Sequence, residues 1–313
     1  MKKIVTIGGG TGQFALLTGL KTIPDLDITA VVTMADSGGS SGVLRTERGV
    51  LPPGDIIRCL LALATADEDV IGLFHHRLTA GGGVGGHRIG NLALTGAVEQ
   101  RDNDFLAGVA TISKVLAVRG RVLPVTIEKT DLCARLSDGS EIRGEHRIDH
   151  PEHDTKLTIT DVWLDPPVAA LAEVREAMLH ADAVVAGPGD LYTSIVPNLL
   201  VGGMRETFRD MHAKLVFVIN AMTKRGETDG FTAREFATAF ERYTQRPVDV
   251  VVCNTKRPEP DLLARYGQEG SRFVPPIDGN WNGRTIVRFP LLGDGPFARH
   301  DPIKLAHVIR ALL

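Results

Sequence analysis

The chain of 313 residues, 43% hydrophobic, 23% charged and 5% aromatic, has the composition of a globular protein and suffices for one large α/β domain. Its 35 basic against 38 acidic residues leave a net charge of −3, which gives nucleic acid or an anionic membrane surface no general attraction. Cys59, Cys133 and Cys253 are scattered and form no C-x-x-C pair, which excludes a disulfide framework and a thiolate zinc site and fits a reducing compartment.

The 34 glycines are the unusual number, and they cluster. Lys3–Ile7 reads as a strand, Phe14–Thr22 as a helix and Ile28–Met34 as a second strand, a βαβ unit. The first apolar run stops at Gly8, far short of a secretion signal or a membrane span, so a cytoplasmic protein with no membrane partner is expected. Apolar helical patterns follow at Asp55–Thr65 and Asp69–Leu78, suited to core packing or to a homodimer face. Gly81 to Gly86 reads as a mobile loop, followed by helices at Asn91–Glu99 and Phe105–Val118. From about 122 to 165 short alternating strands, with a hairpin between Leu132–Leu136 and Glu141–Glu145, mark an inserted antiparallel segment. The α/β alternation then resumes: helix Val168–His180, strands Ala183–Ala186 and Leu215–Ile219, helix Ala233–Tyr243, strands Val248–Cys253 and Thr285–Phe289, and helix Pro302–Leu312. One domain over residues 1–313 is expected, a three-layer α/β/α fold with a mainly parallel sheet.

Where an apolar strand ends in glycines and a helix starts, backbone amides and the helix dipole favour an anion, commonly phosphate. Gly8, Gly9, Gly10, Thr11 and Gly12 form such a turn, although Gln13 replaces the third glycine of a dinucleotide fingerprint. Asp36 stands where a ribose-binding acid would, and Ser37 to Gly42, with hydroxyls at Ser37, Ser40 and Ser41, offers a second cradle. Gly187, Gly189, Asp190, Tyr192 and Thr193 follow another strand. In an open parallel sheet such loops converge outside the strand carboxyl ends, although each alone is also explained by tight turn geometry. Asp55 and Arg58 sit at a helix start, as a cap and surface pair or as site residues, and His87, Arg88 and Asn91 flank the glycine run. Asn220 and Asn254 each end a strand, where asparagine reads a base or sugar edge or closes an Asx-turn, and Lys224 meets phosphate or solvent. His146, His150 and His153 with Asp149, Glu152 and Asp154 read as a solvated loop rather than a metal site. No Ser-His-Asp elbow, H-E-x-x-H or Walker A lysine is present.

Together, Gly8–Gly12, Ala35–Gly42, Pro52–Asp55, Gly90-Asn91, Gly187–Ser194 and Asn220–Thr223 resemble the YvcK-type gluconeogenesis factors, with CofD-type 2-phospho-L-lactate transferases as wider relatives. The resemblance implies a Rossmann-like fold and a role in carbon-source use, cell shape and cell-wall integrity through UDP-sugar binding. By position it carries Gly8–Gly12, Asp36, Ser40, Ser41, Gly189 and Asp190 to the nucleotide crevice, and Tyr266 and Arg299 to the UDP-sugar. One departure is Ser37, where the family usually has a second aspartate; Asp36 alone is a poorer seat for Mg²⁺.

Three functions follow. The first is a regulatory protein that binds a nucleotide sugar and answers to a protein partner. The second is a Mg²⁺-dependent transferase with Asp36 on the metal. The third and weakest is an NAD-dependent oxidoreductase, since Gln13 spoils the fingerprint.

Overall fold

The computed structural model describes residues 1–79 and 81–313. In chain order the first half runs β1 (Lys2–Gly8), α1 (Gly10–Leu20), β2 (Leu26–Val32), α2 (Gly39–Arg48), α3 (Gly54–Leu63), α4 (Glu68–His75), α5 (Ile89–Glu99), α6 (Phe105–Val115) and β3 (Arg121–Pro124). Then come β4 (Asp131–Leu136), β5 (Glu141–Arg143), α7 (Glu145–Asp149), β6 (Ile159–Asp165), α8 (Ala172–Leu179), β7 (Ala183–Ala186) and a π-helical turn at Leu191–Ile195. The chain continues with α9 (Val196–Leu199), α10 (Met204–Asp210), β8 (Lys214–Val218), α11 (Ala233–Thr244), β9 (Val250–Asn254), α12 (Pro260–Gln268), β10 (Thr285–Phe289) and α13 (Pro302–Leu312).

Seven strands form one parallel sheet in the order β10-β9-β8-β7-β1-β2-β3. Its central strands are β-branched and buried on both faces, as a sheet covered by helices on each side requires. Because strand side chains alternate, Ile4 enters one core, with α1, α3, α5, α6 and α13, while Val5 and Ile7 enter the other, with α8 to α11. The expected three-layer architecture is therefore present.

Arg121–Pro124, expected within the antiparallel insertion, is instead the edge strand of the parallel sheet, paired with β2. The insertion proper is the three-stranded sheet β5-β4-β6, whose Leu132, Ala134, Val162 and Leu164 join the second core, so it has no separate interior. Two helices stand where loops were expected. Gly39–Arg48 has two glycines and two serines, poor helix formers, yet coils as α2, and Glu145–Asp149 makes the short α7. Helix α3, weighed as a dimer face, buries Ile56, Ile57, Leu60 and Leu63 in the core.

Gln13 accounts for the broken glycine fingerprint. Its side chain is fully buried, and Nε2 donates to Thr6 Oγ1 at 3.1 Å and to the Val31 carbonyl at 3.0 Å. It is a strut between β1 and β2 in the place where a glycine would only let the helix approach the strand.

A crevice at the sheet switch point

Strand order runs outward in opposite senses from β1 and β7, so the loops that follow these two strands part and leave a crevice at the carboxyl edge of the sheet. Gly10, with φ +65°, opens α1, whose N-terminus points into it. A Cβ on Gly12 would overlap the carbonyl oxygen of Pro188, so the two glycine loops touch. A Cβ on Gly9 would stand 2.7 Å from Asp55 Oδ2, and the amide of Gly189 donates to Asn220 Oδ1 at 3.0 Å. Glycine is needed here for close approach.

The crevice has three chambers with shared walls. A central cavity of about 310 Å³ is lined by Gly9, Gly10, Thr11, Gly12 and Gly189 and by five carboxylates, Asp36, Asp55, Glu145, Asp149 and Asp190. On one side a cavity of about 260 Å³ shares Thr11, Gly12, Gly189 and Asp190 with it and adds Asn220, Met222, Lys224, Tyr266, Arg299 and His300. On the other side a cavity of about 250 Å³ shares Asp36, Arg58, Glu145 and Asp149 and adds Ser40, Ser41, Arg77, Arg88, Asn91, His146 and His150.

The side chamber is amphipathic. Tyr266 Oη accepts from the Ala298 amide at 3.3 Å, and the Arg299 guanidinium lies 4.6 Å above the Phe297 ring. His300 is buried with Nε2 unpartnered, and that burial lowers its pKa to about 4, so the ring is neutral.

Of the acids in the central chamber, Asp55 pairs with Arg58, and Asp149 and Asp190 with Lys224, while among the described residues Asp36 and Glu145 have no ion-pair partner. Asp36 Oδ1 accepts from the Gly38 amide at 2.9 Å. Ser37 points the other way: its hydroxyl accepts from the His146 amide at 3.0 Å and its amide donates to Glu145 Oε2 at 3.3 Å. Ser37 thus fastens α7 to the glycine loop and sets Glu145 as the second carboxylate near Asp36. Desolvation first, then the charges of Asp36 and Asp149, raise Glu145 to about 8. Asp55 is raised by burial and by Asp36, against the pull of Arg58, its ion-pair partner at 3.2 Å, and of the Gly10 amide.

Beside this lies a closed ionic hub. Lys224 Nζ binds Asp149, Asp190 Oδ2 at 2.8 Å and Glu227 Oε1 at 3.3 Å. Burial lowers the Lys224 pKa, but the Glu227, Asp190 and Asp149 charges outweigh it and the ammonium is held well above its ordinary value. Glu227 is fully buried and raised by desolvation, and it accepts from Thr193 Oγ1 at 3.0 Å and the Tyr192 amide at 3.2 Å.

Most expected residues meet here, but some do not. Tyr192 and Asn254 were expected at the ligand and lie elsewhere. The Tyr192 ring packs edge-on against Tyr243 in the core. Asn254 Oδ1 takes the amides of Lys256, Leu291 and Leu292, closing a turn. Thr193 supports Glu227 rather than the cavity. Gly8 is the acceptor for Asn198 Nδ2, and Gly187, with φ +75°, makes the turn without lining a chamber. His87 sits behind Ser40, its Nδ1 2.8 Å from Oγ. Asp149 and His150, taken as part of a solvated loop, line the crevice because α7 folds the insertion back over it; Asp149, Asp190 and Glu227 present oxygens within 4.8 Å of one another. Glu145 and Glu227 escaped sequence reasoning, and only the polar Ser37 beside Asp36 hinted at a partner.

Sheet order, switch-point crevice and glycine-lined floor define a Rossmann-like α/β protein with a polar crevice at the carboxyl edge of its sheet. The model of the family described as 2-phospho-L-lactate transferase CofD matches residues 4–290, and the chain belongs to this family. It is 45% identical to the gluconeogenesis factor of Halalkalibacterium halodurans over 98% of this chain and 95% of that one. Identity to the gluconeogenesis factor of Bacillus subtilis is 37%, over 99% and 98% of the two chains. The crystal structure of a UPF0052-family protein from Bacillus halodurans matches with a TM-score of 0.93 at 37% identity, covering 99% of both chains.

Proposed function

We propose that this is a cytoplasmic regulatory protein that binds a nucleotide sugar of the UDP class, as a gluconeogenesis factor acting through a protein partner on carbon-source use, cell shape and cell-wall integrity. The order of the side and central chambers carries the reading. An aromatic ring and an arginine, Tyr266 and Arg299, suit a base and a diphosphate; glycine amides of the α1 turn suit the diphosphate; carboxylates beyond suit sugar hydroxyls. A triphosphate tail would meet the unpaired Asp36 carboxylate, whereas sugar hydroxyls find acceptors in Asp36, Glu145 and Asp149. The names of the relatives support the regulatory side. Among the described residues no helix is long and apolar enough to cross a membrane. A thermal-shift comparison of UDP-N-acetylglucosamine, GDP and NAD tests the reading. Stabilisation that grows with the logarithm of UDP-sugar concentration is expected, and none with the UDP-sugar overturns it.

The carboxylates favour a second reading, a transferase of the CofD type. Asp36, Asp55 and Glu145 face one cavity, and the Asp36 charge adds to burial in raising the pKa of the other two, which is the electrostatics of a cation seat. Mg²⁺ held by Asp36 and Glu145 would neutralise a diphosphate; the Asp149, Asp190 and Glu227 oxygens already hold Lys224. Mg²⁺-dependent turnover of a nucleotide donor, lost in Asp36→Asn, is the outcome this reading requires.

A further inference from the structure

We propose that the far chamber is a separate subsite for the phosphate group of a small hydroxylated phosphomonoester, distinct from the nucleotide. The run Gly81–Gly86 explains how it is built. The chain reverses there, Leu78 and His87 are joined by a backbone bond at 2.9 Å, and Arg77 and Arg88 pair across the base of the loop. A Cβ on Gly85 would overlap the Gly81 backbone, so the reversal needs glycine. Both arginines thereby line one cavity with Arg58.

Their charges converge, and among the described residues only Arg58 of the three is ion-paired. Arg58 has Asp55, while Arg77 Nη1 donates to the Gly86 carbonyl at 2.6 Å. Among the described residues Arg88 forms no ion pair, and burial together with Arg58 and Arg77 lowers its pKa. The N-terminus of α2, ten residues long with neither a side-chain cap nor an acid in its first turn, opens into the same cavity through Gly39, Ser40 and Ser41. Asn91 lines the cavity, is 3% exposed, and gives Nδ2 to Ser40 Oγ at 3.1 Å while its Oδ1 has no partner. A buried amide oxygen left unpaired costs stability, so this is a place for a ligand hydroxyl.

The opposite wall carries Asp36, Glu145 and Asp149. These side chains offer a bare anion no donor beyond the Glu145 proton, whereas a phosphomonoester with hydroxyls meets arginines at one end and hydroxyl acceptors at the other. This argument does not rest on the nucleotide reading.

The test is calorimetric titration of the full chain with glucose 6-phosphate, glucose, UDP-glucose and UDP-glucuronate, in wild type, Arg88→Gln and Arg88→Lys, with thermal melts to verify folding. Glucose 6-phosphate should bind wild type and glucose should not, with Arg88→Gln weakening it at least tenfold, Arg88→Lys less, and UDP-glucose unaffected. Failure of wild type to bind glucose 6-phosphate overturns the proposal, as does equal binding by a folded Arg88→Gln. An effect of Arg88→Gln on UDP-glucuronate alone also overturns it, placing the anion on the nucleotide sugar. Loss of UDP-glucose binding in wild type would refute the nucleotide reading and leave this one standing.

Discussion

Gly12 and Pro188, 176 positions apart in the chain, meet so closely that the carbonyl of Pro188 occupies the space a side chain at Gly12 would need. This contact closes the floor of the crevice between β1 and β7. Gly12→Ala must part the two loops, so it is expected to weaken ligand binding more than tenfold and lower the melting temperature by several degrees. Gly83→Ala, at a position with open space around it, is the control and should change neither. Ligand titration and thermal melts of the two variants check this.

Lys224 holds together Asp149, Asp190 and the buried Glu227 in the hub. Removing one partner of a buried ionic cluster leaves charge uncompensated, at a cost of about 3–5 kcal/mol. Lys224→Met is therefore expected to lose on the order of that stability in urea melts at neutral pH. Adding Glu227→Gln to it should recover part of the loss, because the buried negative charge is then gone.

Glu145 titrates in the folded state at about 8 instead of near 4.5. The folded carboxyl thus prefers its proton. Its contribution to stability is whole below about pH 4.5, falls as pH rises, and is lost above about pH 8. Wild type should lose melting temperature across that window more steeply than Glu145→Gln, which has no charge to develop. A cation seat adds a second expectation: Mg²⁺ should stabilise wild type more at pH 8 than at pH 5, and Glu145→Gln less at both. Melts at several pH values with and without the metal decide it.

Gln13 invites the opposite of a conservative change. Gln13→Gly restores the glycine fingerprint but deletes the side-chain bonds from Gln13 to Thr6 on β1 and to Val31 on β2 and opens a buried space. Net destabilisation of about 1–3 kcal/mol is expected from denaturant melts.

The central strands β1, β2 and β7 to β9 were legible to within a few residues, because short buried runs rich in β-branched residues have few other uses. Helix α2 was not, since Gly39, Ser40, Ser41 and Gly42 look like a loop and coil only because the N-terminus faces the crevice and Leu44 is buried. The glycine loops were visible as site floor. The carboxylates that give the central chamber its charge were visible only in part. Asp36 and Asp190 follow strands, but Glu145 and Asp149 arrive through the antiparallel insertion, and no local pattern announces a contact across more than 100 positions. Tyr192 and Asn254 show the converse error: at a strand end a polar residue that caps a turn looks like one that meets a ligand.

The central claim is that the crevice binds a nucleotide sugar with its base against Tyr266. Calorimetric titration of UDP-N-acetylglucosamine into wild type and Tyr266→Ala tests it most directly. The account predicts one site per chain in wild type and at least tenfold weaker binding in the variant, with both proteins folded. No binding by wild type, or equal affinity in the two, would contradict it.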